Sequence, residues 1–296
     1  MPEFVQAEYQ KDFYDKHFAR RAGVLEEQLA HPLFSSWYDR LADKAFDAVG
    51  IPAGRADDAV AIPAARADGA VGTPSARSDT AVGAPRVRLL EVATGEGLWA
   101  NALRRVATRR GIDLDYTGTD LSQSAIDQTS AAVPGRFLLG DCIETVAGLP
   151  PASVDIVLVK NLLHHIDDPA ALLRAASRAL APGGVILVVE ARLLSPWLWA
   201  FIALAPVRER YFFHGRRRNA RAAAEAGLVI RREERWSSLP YEMLFTIRYP
   251  WFRRWLSSPD PARIARITRW DDRLAAAVPG FSAYRLWELV PRSITT

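Results

Sequence analysis

Glu91, Asp120, Asp141 and the pair His164-His165 each fall at or just past the end of a short strand-like stretch of this chain. Carboxylates in such places can accept hydrogen bonds from hydroxyl or amine donors. A histidine there can take a proton from a phenol or hydroxyl near neutral pH. Between the first two acids lies Ala93-Thr94-Gly95-Glu96-Gly97, followed by a helical pattern through Leu98, Ala102, Leu103 and Val106. Glycines at a strand-to-helix turn let a ligand approach the backbone, and the helix start favours an anionic group. Taken singly, Asp120 is also what a helix N-cap requires and Asp141 what a turn requires. The histidines are likewise suited to packing or to contacting Asp167 and Asp168.

These residues need a scaffold that brings strand ends together. Residues 86–192 alternate strand and helix patterns, with strands expected at Val87–Val92, Asp115–Thr119, Arg136–Leu139, Val154–Val159 and Val185–Glu190. Helical patterns fall around 98–109, 123–131 and 169–180. Repeated βαβ units imply a doubly wound α/β sheet, mostly parallel, which binds ligands outside the carboxyl ends of its strands. Leu228–Trp236 and Ser282–Val290 read as further strands, for seven in all. Helical insertions are expected at about 193–227 and 249–278. The apolar run Trp197–Leu204 is far short of the ~20 residues that span a bilayer. It reads as core, pocket wall or peripheral membrane contact.

Residues 1–49 read as an aromatic-rich helical lead-in, broken at Pro32, with Tyr9, Tyr14 and His17 as candidates for a lid or substrate pocket. Residues 50–85 differ. The pattern x-x-Pro-x-x-Arg-x-Asp-x-Ala-Val recurs three times with a period of about 11 residues, too short for the usual solenoid units. Each unit has few large aliphatic residues to bury, so a disordered linker is expected.

The chain has 296 residues, 49% of them hydrophobic, enough for a sizeable core. Its formal net charge is +4, with basic runs at Arg216–Arg218 and Arg231-Arg232. These read as a solvated helix face and strand edge, with a nucleic-acid footprint as the alternative. The single cysteine, Cys142, excludes an internal disulfide framework and a cysteine-based metal site, and no metal is expected. The N-terminus lacks a basic segment followed by an apolar one, so a cytoplasmic location is expected.

Gly95–Ala100 also fits the dinucleotide fingerprint G-x-G-x-x-[GA]. That fingerprint expects its acid about 20 residues on, and Asp120 lies further along. With Asp141 after a third strand and Leu180-Ala-Pro-Gly-Gly184 before a fifth, the series instead resembles class I S-adenosylmethionine-dependent methyltransferases. The small-molecule, ubiquinone/menaquinone-biosynthesis-like branch is the nearest in pattern. Ala93 departs from it, standing where the usual motif has its first glycine.

The resemblance implies the cofactor S-adenosyl-L-methionine. It implies that Glu91, Ala93, Gly95 and Gly97 face the cofactor's amino-acid end. Asp120 would take the ribose hydroxyls, Leu121 would pack on the adenine, and Asp141 and the Cys142 N–H would bind it. Lys160, Asn161 and Leu162 would line the reactive end, with His164 or His165 as general base. The implied reaction is methyl transfer to an O, N or C nucleophile of a small, partly hydrophobic metabolite. Methylation of RNA or protein, or a non-catalytic partner role, are the competing expectations.

Overall fold

The computed structural model describes residues 15–16, 31–51, 84–192, 195–196, 215–238, 260–278 and 280–292. Seven strands form one sheet: β1 (Arg86–Val92), β2 (Asp113–Asp120), β3 (Arg136–Leu139), β4 (Val154–Lys160), β5 (Leu180–Ala191), β6 (Leu228–Trp236) and β7 (Tyr284–Pro291). Their order is β3-β2-β1-β4-β5-β7-β6. Neighbours are parallel from β3 through β5; β7 runs antiparallel to both β5 and β6. The order reverses between β1 and β4, which is where such sheets open a ligand crevice.

The α-helices described over their full length are α1 (Pro32–Ala48), α2 (Leu98–Arg110), α3 (Gln123–Ala132), α4 (Cys142–Ala147), α5 (Pro169–Ala179), α6 (Arg216–Glu225) and α7 (Pro261–Ala277). Alternation along the strands sends successive side chains to opposite faces. Val87 and Leu89 of β1 pack with α1, α2 and α7, whereas Leu90 and Val92 pack with α4, α5 and α6. Pro32 opens α1 at its first turn, where the missing N–H is harmless. Trp37 of α1 stacks on Trp236 at 4.6 Å, fastening the helix to the end of β6.

The fifth strand departs from expectation at its start. It begins at Leu180, and Pro182-Gly183-Gly184 lies in an irregularity: Val154 pairs with Leu180, but Ile156 pairs with Val185. Gly183 supplies the positive φ of 82° that this needs. The helical pattern ends one residue earlier than expected, with Leu180 as its C-cap. The short α4 was not foreseen. The repeat, the lid candidates Tyr9, Tyr14 and His17, and the run Trp197–Leu204 lie outside the described residues.

Both ends of the repeat are anchored beside the α2–β2 junction. Arg110 donates to the Ile51 carbonyl, and Asp113 N–H donates to the Pro85 carbonyl. Among the described residues, no helix is long and apolar enough to cross a membrane.

Candidate active site

A cavity opens at the carboxyl ends of β1, β2 and β4. It is lined by Ala93 and Gly95 after β1, by Asp120 and Leu121 at the end of β2, and by Asp141 and Cys142 after β3. Lys160, Asn161, Leu162, His165 and Ile166 complete it from β4 and the turn beyond. Ten residues singled out in the sequence thus share one wall. Ile166 was not among them. Glu91, Gly97 and His164 were, and they do not line the cavity.

Backbone geometry shapes the first wall. Ala93 has φ 61° and Gly95 φ 52°, both in the left-handed region. Alanine there is strained by its Cβ, at a cost of order 1–2 kcal/mol. Gly97, with φ 75°, caps the start of α2. A Cβ on it would meet Thr129 Oγ1 at 2.9 Å, so Gly97 serves close packing against α3 rather than the cavity.

Asp120 ties two strand ends together. Its carboxylate accepts the Gly95 N–H at 2.9 Å and the Ser122 N–H at 2.9 Å. Burial raises its pKa, and those backbone donors pull against the rise. A carboxylate has about four acceptor sites, so two N–H bonds leave capacity for a ligand's hydroxyls. Asp141 caps α4, accepting from Ile143 N–H at 2.8 Å and Glu144 N–H at 3.2 Å. Cys142 beside it is a poor nucleophile: burial, then the Asp141 charge, push its thiol up to about 12.

Glu91 turns away from the cavity. It follows Val87 and Leu89 on the α1/α2 face and accepts the Tyr116 hydroxyl at 2.8 Å. Burial pushes its carboxyl up to about 8, against the pull of the Tyr116 bond and the Lys160 charge. Lys160 itself sits 5.6 Å from the Tyr38 ring centroid.

The turn after β4 is held by a residue that sequence reading did not single out. Glu190, buried at the end of β5, accepts from Leu162 N–H at 3.0 Å and Leu163 N–H at 2.8 Å. Its other oxygen lies 2.7 Å from His164 Nδ1. The His164 and His165 ring centroids are 4.1 Å apart, so the buried histidine backs the one that lines the cavity.

One residue of the N-terminal segment reaches this region. Asp15 accepts the Ser122 hydroxyl and, at 3.3 Å, the Ser124 N–H, beside the end of β2.

Three of the five arginines in the basic runs pair with acids. Arg216 pairs with Glu233, Arg231 with Glu288, and Arg232 with Glu234 and Glu288.

Comparison with known proteins agrees with this architecture. Residues 90–188 match the model of a methyltransferase domain family. The chain is 34% identical over 121 residues to a ubiquinone biosynthesis O-methyltransferase of Idiomarina loihiensis, covering 39% of this chain and 47% of that one. It is 35% identical over 98 residues to the enzyme of the same name from Paracidovorax citrulli, covering 33% and 40%. The match therefore spans less than half the length of either relative. Among solved structures, it resembles a chain of the complex between the Haloferax volcanii Trm112 methyltransferase activator and a presumed methyltransferase. That likeness has a TM-score of 0.53 and 18% identity, over 97% of this chain and 99% of the other, and speaks to fold alone. Residues 90–188 thus match a methyltransferase domain family, and the sheet order and the residues gathered at its switch point agree with that match.

Proposed function

We propose that the chain transfers a methyl group from S-adenosylmethionine to a nucleophilic oxygen of a small, partly apolar metabolite. The observation that carries this reading is the cavity's polarity. Asp120 and Asp141 lie in it with Lys160, and Leu121, Leu162 and Ile166 are apolar lining. A nucleoside joined to an amino acid matches such a wall: diol and amine donors for the acids, a carboxylate for the lysine. Oxygen as the acceptor atom follows the O-methyltransferase name of the relatives and is the finer part of the proposal.

When bound, the cofactor supplies a methyl group on a positively charged sulfur, open to in-line displacement. The protein contributes alignment and a proton acceptor. Asp120 accepts the ribose hydroxyls while holding the Gly95 turn, and Asp141 with the Cys142 N–H meets the adenine. Leu121 packs on the ring. Lys160, Asn161 and Leu162 form the reactive end. Glu91 acts one layer back, holding the Tyr116 hydroxyl.

His165 is the base in this reading, because it lines the cavity. It removes the acceptor's hydroxyl proton, and His164, anchored by Glu190, keeps its ring in place. Three of the five arginines in the basic runs are tied to acids of the same sheet, which favours a small acceptor over RNA. Incubation with methyl-labelled S-adenosylmethionine and a panel of catechols, phenols and their amine counterparts tests the proposal. Label transfer to hydroxyl-bearing acceptors is expected. Transfer to RNA or protein alone would overturn the choice of acceptor.

A further inference from the structure

Arginines gather at the same end of the sheet, beyond the histidines. β7 runs antiparallel, so its first residues lie where the parallel strands end. Arg285 pairs across β5 with Glu190 and across β6 with Arg235. Cross-strand partners share a face, and like charges directly opposite destabilise a sheet. Glu190 is committed to Leu162, Leu163 and His164. The acid closest to Arg285 is Glu233, but that carboxylate is gripped by Arg216 through three contacts of 2.8–3.1 Å. Arg285 Nε lies 2.9 Å from a Glu233 oxygen without pointing its N–H there. It is a buried donor with no hydrogen-bond acceptor among the described residues.

The neighbours add positive charge rather than removing it. Arg235 donates to the Ala276 carbonyl, and Arg192, at the end of β5, donates to Ser282. Burial holds the Arg285 guanidinium below its ordinary value. Glu233 opposes that, and Arg192, Arg216 and Arg235 each push further down. A guanidinium fork with 19% side-chain exposure lies 5.7 Å from the Trp287 ring centroid and shares its ion-paired acid with Arg216, with Arg192 and Arg235 adding positive charge nearby. It is suited to a planar or tetrahedral oxyanion.

Building on the methyltransferase reading above, we propose that Arg285, with Arg235 beside it, receives a carboxylate or phosphate group carried by the methyl acceptor. β4, which leads to His165, and β7, which carries Arg285, are two strand spacings apart, about 10 Å. An acceptor with its hydroxyl at His165 and an anionic group one ring's length or more away spans that gap. The arginines then fix which end of the molecule faces the base.

Calorimetric titration of the full chain, with and without S-adenosylhomocysteine, tests this with benzoate, phenyl phosphate and neutral benzamide as probes. At least one anion is expected to bind about tenfold tighter than benzamide, and whichever is tighter distinguishes carboxylate from phosphate. Arg285→Gln should erase that preference, and the exposed Arg235→Gln should weaken it about threefold while leaving the fold intact. S-adenosylhomocysteine affinity should not change in either variant. Equal binding of benzamide and both anions, or a preference that survives Arg285→Gln, overturns the site. Anion preference without S-adenosylhomocysteine binding would instead reject the methyltransferase reading and leave the anion site standing.

Discussion

The Asp120 carboxylate holds the Gly95 N–H at 2.9 Å, so the acid ending the second strand and the turn ending the first are one unit. In the proposed binding mode, cofactor affinity and the shape of the glycine turn are therefore coupled through a single side chain. Thr94 N–H, bonded to the Thr119 carbonyl at 2.9 Å, closes the same junction one residue away.

Ala93 sits at φ 61° where a glycine would be unstrained. Ala93→Gly should relieve that strain, and the added freedom of the unfolded chain takes back part of the gain. A net stabilisation of about 0.5–1 kcal/mol is expected, read as a higher urea midpoint. Ala93→Val should lower the midpoint. A lower midpoint for the glycine variant would contradict the strained backbone.

Glu91 makes stability depend on pH. Its folded pKa, about 8, lies above its ordinary value of 4.5, so the folded chain keeps a proton that the unfolded chain releases. That contribution is fully present below about pH 4.5 and is lost as pH rises through 8. Glu91→Gln keeps an acceptor for Tyr116 and cannot ionise. It should match the wild type near pH 5 and exceed it near pH 9 by a few kcal/mol, since each tenfold change in proton affinity is worth about 1.4 kcal/mol. Urea titrations at three pH values check this, and parallel curves for the two proteins would refute it.

Glu190 holds three groups at once. Glu190→Ala strands two backbone N–H groups and the His164 ring in a buried place, at about 1–3 kcal/mol for each unmet donor. A fall of several kcal/mol in unfolding free energy is expected, together with weaker S-adenosylhomocysteine binding as Leu162 and His165 lose their support. Unaltered stability would mean that the turn after β4 is held by something else.

The repeat should be dispensable. Ile51 and Pro85 are bonded to Arg110 and Asp113, three residues apart in sequence, so their ends lie close together. A short Gly/Ser linker in place of residues 52–83 should leave unfolding free energy within about 1 kcal/mol, since loop closure depends weakly on length. Loss of the cooperative transition would show that the repeat contributes to the core.

Much of the sheet was legible because parallel strands buried on both faces read as apolar runs between helices. The strand ends and the acids after them followed from that pattern. What escaped were relationships across distance in the chain. Nothing local in Glu91 announces Tyr116, 25 residues on, as its partner. Nor does Glu190 announce that it will fold back on Leu162, Leu163 and His164. The histidine pair looked symmetric in sequence. A turn of 3₁₀ helix at Leu163–His165 separates their roles, burying one and setting the other in the cavity wall. The antiparallel placement of β7 between β5 and β6 is likewise a matter of connection rather than pattern. The arginines it gathers looked like ordinary surface charge.

In the proposed reading, this cavity binds S-adenosylmethionine through Asp120. Calorimetric titration of the wild type and Asp120→Ala with S-adenosylmethionine, S-adenosylhomocysteine and NAD tests it most directly. Binding of both sulfur nucleosides and not of NAD is expected, with Asp120→Ala weaker by about 2 kcal/mol, the loss of a charged acceptor. Binding of NAD instead, or sulfur-nucleoside affinity unchanged by Asp120→Ala, would contradict it.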